Sequence, residues 1–261
     1  MRESSSIRQL ARRAPWSKAK LRLIVNEWLS RTPSERADCT NVKHLICDGT
    51  FIHRPVCVLV AMNGETHTVI AGEYGLNENS MNDLRSFFQP LKENGLAPKS
   101  CTIDGNPQIA RVLLEMWPNI IIQRCLVHVQ RQGLMWCRHK PNRTDAKHLR
   151  DIFLAVTSIN TVKERDLFYQ RVYDWEQEFG QDISHSPERG RVFSDLKRAR
   201  SMLIKALPSM FHYLSNPAIP RTTNGLEGYF SRLKHDYRNH RGLAPHKRFN
   251  YFKWYFHLKP K

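Results

Sequence analysis

No apolar run in the 261 residues approaches the ~18 needed to cross a bilayer, and mean hydropathy is −0.54. A membrane-spanning helix is therefore not expected. The opening Met-Arg-Glu-Ser-Ser-Ser lacks the apolar core of a secretory signal, and no lipidation motif supports an anchor. The expectation is a soluble, cytoplasmic protein with no membrane partner. No Cys-x-x-Cys pair occurs among Cys39, Cys47, Cys57, Cys101, Cys125 and Cys137. Four of these six lie in or beside apolar, strand-like runs, which argues against a secreted disulfide framework and for reduced, buried, small apolar residues. Internal repeats and low-complexity segments are absent too, which leaves out solenoid architectures.

Acidic residues are scarce. There are 24 Asp and Glu against 41 Lys and Arg, giving a formal charge of +17 and a pI near 9.9. An excess of that size in a chain of this length points to a polyanionic partner. It gathers at the ends: residues 1–40 hold nine basic and four acidic side chains, and residues 221–261 hold ten and two. The ends are thus the expected phosphate-contacting surfaces. A basic segment lying on a membrane surface is the rival reading.

With 41% apolar residues the chain can build one large core or two small ones. Residues 6–13 read as a helix that Ala14-Pro15-Trp16 interrupts. Ser17 can cap a second helix, whose Leu21, Ile24, Val25 and Trp28 share one face. Lys18, Lys20 and Arg22 lie near its start. This is the layout of a helix-turn-helix, whose second helix enters the major groove; a plain helical hairpin packed on the next domain is the alternative. Residues 31–39 read as a linker. Val42–Cys47, Val56–Met62 and Thr66–Ala71, with Asn63-Gly64 as a turn, suggest a three-stranded meander. A helix over Ser80–Asn94, a strand at Ser100–Ile103, a helix over Pro107–Met116 and a strand at Ile120–Gln123 follow. The order is βββαβαβ, an α/β fold with a mixed sheet. Helical patterns then dominate to Leu214, at 149–158, 162–179 and 193–214. A further helix is expected over residues 222–235, and the tail is aromatic and basic.

Three acids stand out. Asp48, in Leu-Ile-Cys-Asp-Gly-Thr-Phe, follows an apolar strand, where a carboxylate is costly to bury unless paired or bound to a metal. Asp104, in Cys-Thr-Ile-Asp-Gly-Asn-Pro, does the same after the fourth strand. On neighbouring strands the two would resist ionising together unless a cation lay between them. A hard divalent ion with oxygen ligands is the natural one. Each Asp-Gly is by itself also a common turn. Glu227, in Thr-Thr-Asn-Gly-Leu-Glu-Gly-Tyr-Phe, sits near the start of a helix that Thr223 or Asn224 can cap; it is either a ligand or a carboxylate favouring the helix dipole.

Taken together, Cys-Asp-Gly-Thr-Phe, Ile-Asp-Gly-Asn, Gln-Arg-Cys-x-x-His and Thr-Thr-Asn-x-x-Glu resemble the Mutator-like transposases and their bacterial insertion-sequence relatives, over about residues 42–240. The resemblance implies a ribonuclease H-like fold with a helical insertion, about 130–216, inside a catalytic domain of residues 39–261. A partial helix-turn-helix and linker occupy residues 1–38, so the chain reads as N-terminally short. It implies Asp48, Asp104 and Glu227 as catalytic metal ligands, with Cys125, His128 and Asn224 in the active-site neighbourhood. It also implies Mg²⁺ or Mn²⁺, as two ions, in phosphoryl transfer. Double-stranded DNA, both element ends and target, would be the partner of a homodimer or larger assembly associated with the bacterial nucleoid.

Arg221, Arg232, Lys234 and Arg238 surround Glu227 and are expected to touch phosphates, as are Lys18, Lys20 and Arg22. Cys137 and His139 are the only nearby residues that could complete a zinc site with Cys125 and His128, and their spacing is unlike common zinc sites. Tyr251, Phe252, Trp254 and Phe256 either stack on bases or pack, and packing is preferred. Two other functions remain open: a ribonuclease H-like nuclease without strand transfer, and an inactive or co-opted DNA-binding protein.

Overall fold

The computed structural model describes residues 5–33, 38–185, 190–240 and 242–261. Part of the expected linker, residues 34–37, lies outside them. In chain order the elements are α1 (Ile7–Arg13), α2 (Lys18–Leu29), β1 (His44–His53), β2 (Val56–Asn63), β3 (Val69–Leu76), α3 (Met81–Glu93), β4 (Ser100–Ile103), α4 (Pro107–Met116), β5 (Ile121–Arg124), α5 (Leu126–Cys137), α6 (Thr144–Ala155), α7 (Val162–Trp175), α8 (Gln181–His185), α9 (Arg191–Ala206), α10 (Asn224–Tyr237) and α11 (Pro245–Leu258).

Local chemistry sets the boundaries. Ser6 and Gln9 form a reciprocal capping box on α1, and the Ser17 hydroxyl accepts from Lys20 N–H at the start of α2. The Asn63 side chain accepts from the backbone N–H groups of Glu65 and Thr66, which closes the β2–β3 hairpin. Ser80 caps α3, and Gly95, at φ +88°, ends its last turn. Asn106 caps α4, with Pro107 in the first turn, where a missing N–H costs nothing.

The five strands form one sheet in the order β3-β2-β1-β4-β5, so the chain is α/β. β1, β2 and β3 make an antiparallel meander. β1 runs six residues past the expected end at Cys47, because Gly49 to Phe51 continue the ladder opposite Val58 to Leu59 and Cys57 before a bulge at His53. Asp48 is therefore inside a strand rather than after one. β3 begins at Val69 rather than Thr66, since the hairpin uses residues 64–68, with His67 at φ +54°.

Two compact units divide the chain: Met1–Cys101, Asn106–Ile120 and Asn224–Lys261 in the first, and Thr102–Gly105 with Ile121–Thr223 in the second. In the first, one face of the meander (Ile46, Val58, Val60, Met62, Val69) is covered by Leu226, Tyr229, Phe230 and Leu233 of α10 and by Tyr251, Phe252, Tyr255 and Phe256 of α11. The sequence pattern assigned no element to the aromatic tail; the structure makes it a helix whose rings pack, as preferred above. Alternate strand residues, Leu45, Cys47, Leu59 and Ala61, are equally buried on the opposite face. Leu29 of α2 joins the first core, and Trp254 meets Trp28 edge to face.

The second unit is mainly helical. Its core runs from Leu126 and Val129 of α5 through Leu149 and Phe153 of α6, Phe168 and Val172 of α7, and Leu196 and Leu203 of α9. Gly133 of α5 lies against the Phe153 ring, where a side chain would leave no room for α6. Among the described residues, no helix is long and apolar enough to cross a membrane.

Candidate active-site residues

Asp48 is 6% exposed and lies directly across from Val60. Alternation puts it on the same side as Ile46, the side that α10 covers. Its Oδ1 accepts the Gly49 N–H at 2.8 Å. Gly49 is not a turn residue here: a Cβ on it would come within 2.7 Å of Glu78 Oε2 and 2.8 Å of Cys57 Sγ. The glycine makes room for those two groups in mid-strand. The Cys57 thiol points its S–H at Glu78, 3.6 Å away, and burial followed by the Glu78 charge pushes it up to about 12.

Glu227 stands in the first turn of α10, half-buried, beside the inward-facing Leu226. Asn224, the first residue of α10, is exposed. The helix starts against the β2 end, where a Cβ on Gly225 would be 3.3 Å from Met62 Sδ. It ends where the Tyr237 hydroxyl meets His53 Nε2 at 3.0 Å. Met62 is opposite Ile46. Asp48, two residues after Ile46, and Glu227, two after Gly225, thus lie toward the same end of the helix–strand contact.

The second unit gathers the rest of the motif residues. Asp104 follows β4, and Gly105 after it has φ +105°, a conformation that favours glycine. A Cβ built on Gly105 would also land on Arg124 Nη1. Backbone and neighbour therefore both require glycine at this position. Burial draws the Arg124 guanidinium below its ordinary value, with the Asp104 charge opposing. Arg124 Nε is buried without a hydrogen-bond partner.

On either side of Arg124, Gln123 and Cys125 are fully buried. Gln123 Nε2 donates to Met210 O at 2.6 Å and Arg124 O at 2.8 Å, while its Oε1 accepts His212 N–H at 3.1 Å. Cys125 is the N-cap of α5, and its Sγ accepts from Thr223 N–H at 3.2 Å and from the Thr223 hydroxyl at 3.5 Å. His128 Nδ1 lies 3.5 Å from that hydroxyl. Burial pushes the Cys125 thiol up, but the hydrogen bonds from His128 and Thr223 outweigh it and leave the thiol below its usual range. Cys-x-x-His is here a clamp on Thr223, the residue before Asn224. The sequence reading picked out Cys125 and His128 but not Gln123, Arg124 or Thr223 as partners. Arg124 sits in the quoted Gln-Arg-Cys-x-x-His motif, and the signal for it was a charged residue at the end of an apolar strand.

The basic residues expected at DNA are all exposed: Lys18, Lys20 and Arg22 on α2, Arg221, and Arg232, Lys234 and Arg238 on or after α10. Arg221 Nη1 also donates to Asn160 Oδ1 at 2.8 Å, and Arg232 lies over the Tyr229 ring. All six cysteines are free and buried. Among the described residues, no group of three or more His, Cys, Asp or Glu is arranged to hold a metal ion.

The model of the family described as Transposase, Mutator family, matches residues 20–190. The chain belongs to the Mutator family of transposases. No curated protein matches it. The matched stretch of this Mutator-family transposase takes in α2 from its third residue, the sheet, Asp48, Asp104, Cys125 and His128. Asn224 and Glu227 fall after it, so their assignment rests on the Thr-Thr-Asn-x-x-Glu motif and on the packing of α10 against β1.

Proposed function

We propose that this transposase cleaves DNA at the ends of a mobile element and joins the freed 3′-hydroxyl to target DNA, using Asp48, Asp104 and Glu227 as metal ligands. The observation that carries this reading is the family match across Asp48 and Asp104. Three supports stand beside it: the burial of Asp48 on the α10 side of the meander, the βββαβαβ order and the long helical stretch after β5. The last two favour a ribonuclease H-like fold. The donor set fits a hard cation, since carboxylate oxygens are what Mg²⁺ and Mn²⁺ prefer. Two such ions would generate the nucleophile from water or a 3′-hydroxyl and stabilise the leaving oxygen.

The chain's own contribution is to hold the acids and the DNA. β1 fixes Asp48 in a rigid strand, and α10 carries Glu227 on a helix locked by Leu226, Tyr229 and Leu233. Lys18, Lys20 and Arg22, at the start of the second helix of a helix-turn-helix, would meet duplex phosphates and the major groove. Arg232, Lys234 and Arg238 would do so beside Glu227. Because two element ends must be brought together, a homodimer or larger assembly on DNA is part of the proposal.

The test is strand transfer with a pre-cleaved element end in Mg²⁺. Asp48→Asn, Asp104→Asn and Glu227→Gln are each expected to lower the rate at least ~100-fold, as loss of about 3 kcal/mol of transition-state stabilisation would. Asp48→Asn at the wild-type rate would remove Asp48 from the set. Nicked DNA without joined product would make the protein a nuclease.

A further inference from the structure

A buried donor with no acceptor is rare in a folded protein and costs stability, so each one calls for a reason. Arg124 Nε is such a donor. Its guanidinium lies over Gly105, in space that any side chain at that position would fill, and within electrostatic reach of Asp104. The backbone leading into it is held firmly, since Cys125 N–H donates to Ile103 O at 2.8 Å and Gln123 anchors the strand to Met210 and His212. The backbone at Arg124 is thus held on both sides, and its guanidinium is placed over Gly105 within electrostatic reach of a candidate metal ligand.

We propose that Arg124 is a catalytic residue that binds a non-bridging oxygen of the DNA phosphate undergoing transfer, with Gly105 kept side-chain-free to admit the guanidinium. This rests on the function proposed above and deepens it. The Asp104 charge opposes the cost of burying the guanidinium, and because Nε is sealed off while Arg124 as a whole is only half-buried, the Nη nitrogens are the ones a ligand would meet. A tetrahedral phosphate oxyanion supplies acceptors in the geometry that an arginine fork matches. A lysine could provide the charge but not the paired donors. The role of Arg124 is recognition and charge stabilisation only.

The experiment compares wild type with Arg124→Gln on two element-end duplexes, one with the natural phosphodiester at the transferred position and one with a neutral methylphosphonate there. Binding is measured in EDTA, where no cleavage occurs, and single-turnover cleavage is measured in Mg²⁺. Wild type is expected to bind the natural duplex about tenfold more tightly than the methylphosphonate, as one charge-assisted contact would give. Arg124→Gln should bind the two alike and cleave the natural end at least ~100-fold more slowly than wild type. Should Arg124→Gln not fold, Arg124→Lys carries the same comparison, with the preference for phosphate reduced to a few-fold because one point charge replaces the fork. Equal discrimination by variant and wild type overturns the proposal. A wild type that binds with the expected preference but never cleaves in Mg²⁺ sinks the transposase chemistry and leaves the anion contact standing.

Discussion

Cys125 is the residue whose surroundings oppose its burial most clearly. Burial raises Cys39, Cys57, Cys101 and Cys137, the second and fourth of these to about 12. Cys125 is as deeply placed, yet hydrogen bonds from His128 and Thr223 overcome desolvation and bring it below the ordinary thiol value. The sign follows from linkage: a thiol depressed in the folded state stabilises the fold above the unfolded thiol value of roughly 8.5, and that gain is lost as pH falls through the folded value. Thr223→Val removes one donor. In a thiolate absorbance titration, with Cys125→Ser subtracted, the first thiol to ionise is expected to move to higher pH. An unchanged titration would show that Thr223 does not stabilise the thiolate. Both residues lie in quoted motifs, but their contact joins positions 98 apart in sequence, and no local pattern reports that.

Among the elements, α11 shows how much of the first core comes from the tail. Phe252 is fully buried and stacks on Tyr74 of β3 with ring centres 4.7 Å apart. Phe256 lies over Gly72, where a Cβ would come within 2.6 Å of its ring. Phe252→Ala should therefore cost about 3–5 kcal/mol, read as a lower urea midpoint with little change in slope. A loss below about 1 kcal/mol would mean that α11 is peripheral. α10 and α11 share this core, so the helix that carries Glu227 is set in place partly by aromatic residues that follow it in the chain.

At the scale of the whole molecule the dominant property is charge, +17 in 261 residues. Binding to duplex DNA is expected to weaken steeply with salt, because each phosphate neutralised releases condensed counterions. Replacing Lys18, Lys20 and Arg22 together with Ala should reduce the slope of log K against log salt by about 2–3 if all three meet phosphates. An unchanged slope would place the DNA elsewhere and leave α1 and α2 as a hairpin packed through Val25, Trp28 and Leu29.

The sequence by itself determined the family and the βββαβαβ order followed by helices, offered Ser17 as the cap of α2 and preferred packing for the aromatic tail, to which it assigned no element. Hydrophobic periodicity and the capping chemistry of Ser17 are local, so they can be read along the chain. It also displayed the three acids in their motifs. It misjudged Asp48 as following its strand, because Asp-Gly is usually a turn signal, whereas here Gly49 is required by Glu78 and Cys57 alongside. Only the tertiary structure decided that Asp48 lies on the α10 side of the meander, that Arg124 occupies the space over Gly105, and that Cys125 and His128 close on Thr223. Each of these depends on which distant segments meet. That is fixed by the burial of whole faces and the satisfaction of buried donors, neither of which is a property of any short stretch of sequence.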